Sequence, residues 1–394
     1  MLHSSLFGSA SSVVKKLGLC LSLLVPVCIC PFASAESQRN QLQSSPESAV
    51  VNSYADHVFK SYSEVLAQTE TLKTRIDEFL KAPSASTLQA AKDQWTAARE
   101  KYSRTEVFRF YGGPIDGENG PEGAINAWPL DEAYIDYVRG ASNSGIINDK
   151  ATYPTITAEL LRSLNEKDGE KNISTGWHAI EFLLWGQDLN ELAPGDRPFT
   201  DYVNGRGKNA DRRTEYLRIV TDLLLEDLSL LKAAWDPSKT DNFQAGFRSP
   251  DQTKEVLGFI LTGAVRMAGL ELSQERMFVA YDTQLQEDEH SCFSDTTHLD
   301  IINNFLGIKE VLLGDGKVSM LQLIAQVKPE LAKEIEKSLA ETESLLRGIP
   351  APFDQAIFSE EGRIKILAGV EALEAQAKLL EQAATALGLE LVAP

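Results

Sequence analysis

Apolar residues recur at helical spacing in one segment of this chain after another, and no other feature limits the fold so strongly. One such run begins with Val51, Tyr54 and Val58 and continues to Leu80. Residues three and four apart share one face of a helix, so each run predicts an amphipathic helix with a buried side. No segment alternates apolar and polar residues as a half-buried strand does. The sequence therefore predicts an all-α fold of two packed helical-bundle domains.

Proline and glycine divide this helical pattern at a few positions. Pro83 separates the first helix from a second, which is predicted over residues 86–110, and another long helix is predicted over residues 249–286. The break Asp236-Pro237-Ser238 follows a long amphipathic helix and is the predicted domain boundary. The predicted organisation is a signal peptide (1–35), a flexible segment (36–48), an N-terminal bundle (49–236) and a C-terminal bundle (237–394).

The first residues have the pattern of an export signal. Lys15-Lys16 precede an apolar run, and Ala33-Ser34-Ala35 supplies a small-x-small cleavage site. Because the run is shorter than a membrane span requires, we expect a soluble exported protein, with a lipid anchor as the weaker alternative. Cleavage would remove three of the four cysteines and leave only Cys292, so the mature fold could contain no intramolecular disulfide.

Acidic residues outnumber basic ones, with 57 Asp and Glu against 38 Lys and Arg. The formal net charge of −19 repels phosphate backbones and anionic membrane surfaces, so nucleic acid is not an expected partner. Such a charge favours cations as ligands, although solubility alone also accounts for it. No sequence pattern specifies an oligomeric state.

The segment Gly176-Trp177-His178-Ala179-Ile180-Glu181 contains the most specific candidate site. His178 and Glu181, here called the HxxE pair, are three residues apart, so on a helix they project from one face and could share a metal ion. Their neighbours are apolar and aromatic, which predicts burial, and a buried carboxylate needs a cation, a metal or hydrogen bonds. The alternative is a core histidine that is hydrogen-bonded to a nearby acid.

A second candidate lies in the helix that contains Trp95 and Arg99. Arg99, Tyr102 and Glu106 follow one another at intervals of three or four residues, so they are predicted to share a helix face. Glu106 could then add a carboxylate to the HxxE pair, while Arg99 balances its charge. The alternative is a row of ion pairs on a solvated surface.

The Gly- and Pro-rich loop of residues 111–130 is a third candidate, because loops of this length in compact domains tend to be functional. Asp116 could supply a further oxygen ligand, and Trp128 could close a pocket. The alternative is ordinary turn chemistry, with Asp131 as the cap of the next helix.

A fourth candidate is the run from Glu287 to His298, which combines two histidines with four acids. Oxygen and imidazole donors suit iron, zinc or manganese better than copper(I). The alternative is an acidic surface turn in which Ser294 or Asp295 caps the next helix. The candidate ligands of this second cluster are Asp288, Glu289, His290, Asp295 and His298.

Together these segments resemble the imelysin family, which is also called peptidase family M75. The resemblance rests on the GxHxxE signature formed by Gly176, His178 and Glu181, and it extends through WTAAREKYSRTEVFRFYGGPID, NAWPLDEAYIDYV and EDEHSCFSDTTH. It implies two bundle-like helical domains with the signature near their junction. It also implies a role in iron supply, with export to the periplasm or outer membrane of a Gram-negative bacterium.

The leading hypothesis is a periplasmic protein that binds iron, zinc or another divalent metal, or a metal-bearing ligand, and acts in iron uptake with a membrane transport partner. Its predicted metal ligands are His178, Glu181, Glu106 and Asp116, surrounded by Gly176, Trp95, Arg99 and Trp128. The runner-up is a metallopeptidase in which Glu181 is a zinc ligand or general base, although the chain has no HExxH motif. A third hypothesis is a module that binds a partner or a non-metal ligand, with a purely structural HxxE pair.

Overall fold

The computed structural model describes residues 45–314 and 318–393, so the predicted signal peptide lies outside the described residues. Within them the chain is built from helices, and the one β-type contact is an isolated bridge between Val138 and Ala141. The all-α prediction is therefore confirmed.

The helices of the first half are α1 (Pro46–Lys81), α2 (Ala85–Ser103), α3 (Glu122–Asn126), α4 (Glu132–Ile135), α5 (Ala158–Leu164), α6 (Gly176–Trp185) and α7 (Ala210–Ala234). Those of the second half are α8 (Phe243–Phe247), α9 (Thr253–Arg266), α10 (Val279–Thr283), α11 (Thr297–Leu313), α12 (Met320–Val327), α13 (Pro329–Arg347), α14 (Phe353–Phe358) and α15 (Glu360–Leu387). A π-helix (Met267–Phe278) joins α9 to α10. Short 3₁₀ helices cover Glu106–Phe108, Phe199–Tyr202, Pro250–Gln252 and Gln286–Asp288.

The first two helices start where their sequence provides a cap. The Ser45 hydroxyl accepts a hydrogen bond from the Ser48 amide at 3.1 Å, and Pro46 occupies the first turn. Helix α1 therefore begins inside the segment that was predicted to be flexible. At the start of α2, Ser84 and Thr87 form a reciprocal capping box, directly after the predicted proline break.

Helix α2 ends at Ser103, so the prediction of one helix over residues 86–110 is wrong beyond that point. The Thr105 amide and hydroxyl both donate to the Tyr102 carbonyl at 2.7 Å, which tightens the last turn. Gly307 of α11 packs closely here, since a Cβ atom on it would approach the Arg104 carbonyl oxygen to 2.3 Å. The chain turns at this contact and places Glu106 in a 3₁₀ helix instead of on the face of α2.

The helices contact one another in two groups. Helices α1, α2, α6 and α7 pack together in the first group, and α9, the π-helix, α11, α13 and α15 pack together in the second. The groups meet where α1 contacts α9 and where α2 contacts α11. This arrangement agrees with two packed bundles, whereas the boundary at residues 236–238 stays a prediction.

The long helix predicted over residues 249–286 is present as a continuous stretch of α9, the π-helix and α10. Among the described residues it is the one helix long and apolar enough to cross a membrane, and 72% of its most apolar window is buried inside the protein. Its apolar spacing does not predict the π-helical part. There Arg276 donates to Glu271, five residues earlier, at 2.9 Å, which fits the wider turn of a π-helix.

Candidate functional site

Helix α6 carries the HxxE pair through the interior of the protein. All of its residues, from Gly176 to Trp185, are buried. The indole N–H of Trp95 on α2 donates to the Trp177 carbonyl at 3.1 Å and so holds the first turn of α6 in place. Trp95, predicted to lie around the site, therefore acts on it by positioning the helix.

Gly176 is required at the start of α6 for two physical reasons. Its φ of +85° lies in a region that side-chain-bearing residues rarely adopt. A Cβ atom there would also stand 2.4 Å from the carbonyl oxygen of Ile125 in α3. Only glycine satisfies both conditions, which accounts for the first residue of the GxHxxE signature.

The HxxE pair is a buried hydrogen-bonded unit. His178 Nδ1 lies 2.9 Å from Glu181 Oε2, and both side chains are fully buried. Glu181 Oε1 accepts hydrogen bonds from the Ser294 amide at 3.0 Å and hydroxyl at 2.7 Å. Within the described part of the chain, His178 Nε2 has no hydrogen-bond partner. Glu181 therefore orients the imidazole, as carboxylates do for metal-binding histidines, and Nε2 is the atom left to bind a ligand.

Burial determines the protonation states of His178 and Glu181. It raises the pKa of Glu181 to about 8, although Ser294 and Arg99 act in the opposite direction. Burial and the positive charge of Arg99 hold the pKa of His178 well below its ordinary value. At neutral pH the pair is therefore uncharged: the protonated Glu181 donates from Oε2 to Nδ1, and the one proton of the neutral imidazole is on Nε2. A cation at Nε2 would displace that proton and leave Nδ1–H donating to ionised Glu181, so binding is expected to release a proton.

Two aromatic rings face His178. The centroid of the Trp128 ring lies 4.8 Å from that of His178, and the centroid of the His290 ring lies 4.7 Å away. Phe293 packs against Trp128 with a centroid distance of 5.8 Å. The structure thus brings together residues of three candidates from the sequence: the HxxE pair, Trp128 of the long loop and His290 of the second cluster.

His290 is held by a buried charge network. Its Nδ1 lies 3.0 Å from Asp300 Oδ2 and 3.1 Å from Arg99 Nη2. Asp300 also accepts hydrogen bonds from Arg99 Nε at 3.2 Å and from the hydroxyls of Ser103 at 2.7 Å and Ser291 at 2.6 Å. Burial lowers the pKa of His290 to about 4, so its ring is neutral, and Asp300 and Arg99 balance each other's charge.

Glu106 belongs to an adjoining network in which both of its oxygens are occupied. Arg276 donates to both oxygens, Asn304 donates to Oε1 at 3.0 Å, and Asn126 donates to Oε2 at 2.8 Å. Although burial opposes it, the charge of Arg276 lowers the pKa of Glu106 to about 2. Arg99 also donates to Asn126, which joins this network to the one around His290. The observed role of Glu106 is to neutralise a buried arginine.

Asp116 shapes its own loop. It accepts hydrogen bonds from the amides of Gly113, at 2.8 Å, and Phe110. Over residues 45–314 and 318–393, no three His, Cys, Asp or Glu side chains are placed to hold one metal ion. The structure therefore does not gather Glu106 and Asp116 with the HxxE pair into a single ligand set.

The second cluster divides between two places. His290 lies against the HxxE pair, whereas Glu289 and Asp295 lie near Asp188 and Asp354. Burial and these neighbouring carboxylates raise the pKa of Glu289 well above its usual range and that of Asp295 to about 8. The other two predicted members are the half-buried Asp288 and His298.

A match to one protein family covers most of the chain. The family model described as Imelysin, Peptidase_M75, matches residues 58–380. The chain belongs to the imelysin family. It is also 25% identical, over 362 residues, to "Iron-regulated protein A" of Synechococcus elongatus, and the match covers 89% of each chain.

Two solved structures share the imelysin fold of this chain. One is described as a putative iron-regulated protein A precursor from Parabacteroides distasonis, with a TM-score of 0.67, 17% identity and coverage of 86% of this chain and 95% of that one. The other is an imelysin-like protein from Psychrobacter arcticum, with a TM-score of 0.63, 15% identity and coverage of 88% and 97%. The predicted family and fold are confirmed.

Sequence reasoning missed three residues of this imelysin site, namely Asp300, Arg276 and Asn304. Asp300 lies just beyond the run from Glu287 to His298, so a wider window would have included it. Arg276 is a charged residue within a long apolar helix, and a buried charge there implies an acidic partner. Asn304 carries no comparable signal.

Replacing Glu181 by glutamine should change how the stability of this imelysin depends on pH. Because folding raises the pKa of Glu181 from 4.5 to about 8, its contribution is fully present below pH 4.5 and is lost as pH rises towards 8. The loss amounts to about 1.4 kcal/mol per pH unit. In metal-free denaturant titrations at pH 5.5 and 7.5, the free energy of unfolding of the wild type should fall by about 2–3 kcal/mol more than that of Glu181→Gln. An equal fall in the free energy of unfolding of the two proteins between pH 5.5 and 7.5 would contradict a raised pKa of Glu181.

Proposed function

We propose that this protein is exported and binds iron or another divalent metal, bare or within a metal-bearing ligand, at His178 in the course of iron uptake. The observation that carries the proposal is the buried imidazole, which Glu181 holds through Nδ1 while Nε2 has no partner in the described chain. A neutral imidazole oriented by a carboxylate is the usual form of a histidine metal ligand.

The small number of protein donors favours a metal that arrives with ligands of its own. Zinc sites have three or four protein ligands, whereas no trio of suitable side chains is assembled within the described residues. The rings of Trp128 and His290 both pack against the imidazole of His178. A metal complex would therefore find one nitrogen donor, His178 Nε2, next to aromatic rings.

Iron and export are supported by the relatives. The curated relative is named for iron regulation, and one solved neighbour is described as a precursor. The N-terminal segment of this chain, residues 1–35, has the pattern of a cleavable export signal. Together they support a periplasmic or outer-membrane-associated protein that passes metal to a membrane transport partner.

The peptidase hypothesis receives less support from the geometry. Both oxygens of Glu181 are engaged, one by His178 and the other by Ser294. A general base must reach the water that it deprotonates, and neither oxygen is free to do so. Glu181 therefore fits the role of an orienting group better than that of a catalytic base.

Metal titration of the mature chain tests the proposal. Anaerobic iron(II), and separately iron(III) citrate, should bind with micromolar or tighter affinity in calorimetry, and His178→Ala should weaken binding at least 100-fold. Glu181→Gln, which keeps the shape of the side chain but removes the carboxylate that a bound cation would favour, should weaken it by about 10- to 100-fold.

The matched control is His57→Ala, which removes a half-buried histidine from a separate cavity and should bind as the wild type does. Equal binding by His178→Ala and the wild type would contradict the site. Metal-dependent cleavage of an unfolded protein, abolished by Glu181→Gln, would instead favour a peptidase.

A further inference from the structure

A cavity of about 860 Å³ lies between the two helical groups, apart from the HxxE pair. Helix α1 and the end of α2 form one side of it, and the end of α11 with the start of α12 forms the other. We call it the α1–α11 cavity. Its volume falls within the range of small-molecule sites, about 300–1,000 Å³. No residue of the HxxE pair, or of the networks around His290 and Glu106, lines it.

The wall of the α1–α11 cavity carries an excess of positive charge. Its cationic side chains are Lys60, Lys101 and Arg104. Among the described residues these three cations share two carboxylates. Glu64 lies 3.8 Å from both Lys60 Nζ and Lys101 Nζ, and Glu310 accepts a hydrogen bond from Arg104 at 2.8 Å. One positive charge is therefore left unbalanced, in a chain whose formal net charge is −19.

The other polar groups of the wall do not remove this excess. Asp56, the third carboxylate that lines the cavity, is paired with Arg248, which does not line it. The 3.8 Å separation of Glu64 from the two lysines exceeds a hydrogen-bond length, so both ammonium groups keep donors for a further partner. His57 Nε2 is buried without a hydrogen-bond partner in the described part of the chain, 3.7 Å from Glu310. Such an atom calls for a ligand or a water molecule.

Apolar side chains complete the wall on its inner side. Val50, Val311 and Met320 line the cavity and are at most 6% exposed, whereas the side chain of Lys60 is 75% exposed at the entrance. We infer that the α1–α11 cavity binds a small organic carboxylate with an apolar body. The carboxylate would lie between Lys60 and Lys101, and the apolar body would pack against the inner wall.

The same charges disfavour other classes of ligand. A cation would face three basic side chains and be repelled by them. A phosphate group carries up to two negative charges, more than the single unbalanced positive charge, and would meet Glu64 and Glu310. A neutral molecule would gain nothing from the two lysines. One carboxylate matches the unbalanced charge, and its hydrogen bonds with ammonium groups are charge-assisted.

Such a ligand would also join the two helical groups. Lys60 on α1 and Lys101 on α2 belong to the first group, and Val311 on α11 belongs to the second. A molecule in contact with all three side chains would bind the packed groups in preference to the unfolded chain. Binding should therefore raise the Tm of the protein.

Decanoate, which has one carboxylate on an unbranched apolar chain, is the probe that tests this inference. With the metal-stripped mature chain at pH 7, about 1 mM decanoate should raise the Tm by about 1–3 °C, and calorimetry should give a dissociation constant of about 0.1 mM. Uncharged decanol and cationic decylamine should bind at least about 10-fold more weakly.

Two variants of the wall should change decanoate binding in opposite directions. Lys60→Gln/Lys101→Gln should weaken it at least about 10-fold, because the charge-assisted hydrogen bonds are lost. Glu64→Gln should strengthen it about threefold, because the competing carboxylate is removed.

Two controls separate this cavity from surface charge and from the proposed iron site. Lys333→Gln/Lys337→Gln removes two lysines of α13 that lie outside the cavity and are 70% and 74% exposed, and it should bind decanoate as the wild type does. His178→Ala should keep decanoate binding as well. A wild type that does not bind decanoate would overturn the inference. Equal binding by Lys60→Gln/Lys101→Gln and the wild type, or equal affinity for decanol and decanoate, would overturn it too.

Discussion

Replacing Arg276 by methionine should lower the free energy of unfolding by about 3–5 kcal/mol, because removal of one partner leaves a buried charge without compensation. Arg276 donates to both oxygens of Glu106 and to Glu271, and the Arg276 and Glu106 side chains are 3% and 0% exposed. Methionine keeps the aliphatic part of the side chain and removes the guanidinium group with its charge and its hydrogen bonds. Denaturant titration of the mature chain at pH 7 measures the effect.

Two further variants show whether the loss of stability comes from the Glu106 carboxylate, which Arg276→Met leaves without a cation. Adding Glu106→Gln to Arg276→Met should recover part of the stability, because the neutral amide no longer requires a cation. In the control variant Lys333→Met, both the basic residue and its partner Glu330 are exposed. This change should alter the free energy of unfolding by less than about 1 kcal/mol. A loss below 1 kcal/mol for Arg276→Met would show that the network does not hold the two helical groups together.

Replacing Gly176 by alanine should have a comparable effect and should also damage the site. The added Cβ atom would meet the Ile125 carbonyl oxygen at 2.4 Å, and the residue would have to keep a φ of +85°. The positive φ alone costs about 1–2 kcal/mol and the steric overlap adds about 1–3 kcal/mol. Because α6 begins here, relief of the overlap moves His178, and iron binding should weaken together with stability.

Gly205 offers a matched control for the cost of a positive φ. Its φ of +82° is nearly the same, but a Cβ atom there has no neighbour within 4 Å. Gly205→Ala should therefore lose only about 1–2 kcal/mol and bind iron as the wild type does. If the two alanine variants are equally stable, close contact between α6 and α3 is not the reason for glycine in the GxHxxE signature.

The helical class and the HxxE pair could be predicted because both depend on short-range spacing. Helical periodicity is visible within a few turns, and His178 and Glu181 lie three residues apart on one helix. The same reasoning failed at Glu106, since α2 ends at Ser103 and the apolar spacing continues past that residue. Arg104, the next residue, packs closely against Gly307, about 200 residues later in the chain, and local sequence does not show that contact.

The partners of the site residues could not be predicted, because they come from distant parts of the chain. Ser294 is 113 residues from Glu181, and Asp300 is 201 residues from Arg99. Only packing of the two helical groups brings them together. Hence the sequence identified candidate ligands but did not predict the ion pair between Glu106 and Arg276.

The most direct test of the central claim is a crystal structure of the iron-loaded mature chain with anomalous diffraction data at the iron absorption edge. We predict an anomalous peak at bonding distance from His178 Nε2, on the side faced by Trp128 and His290, with Glu181 still bonded to Nδ1. The remaining iron ligands should come from water or the bound complex. A peak elsewhere, with His178 Nε2 free, would contradict the account, as would full iron binding without any contact to His178.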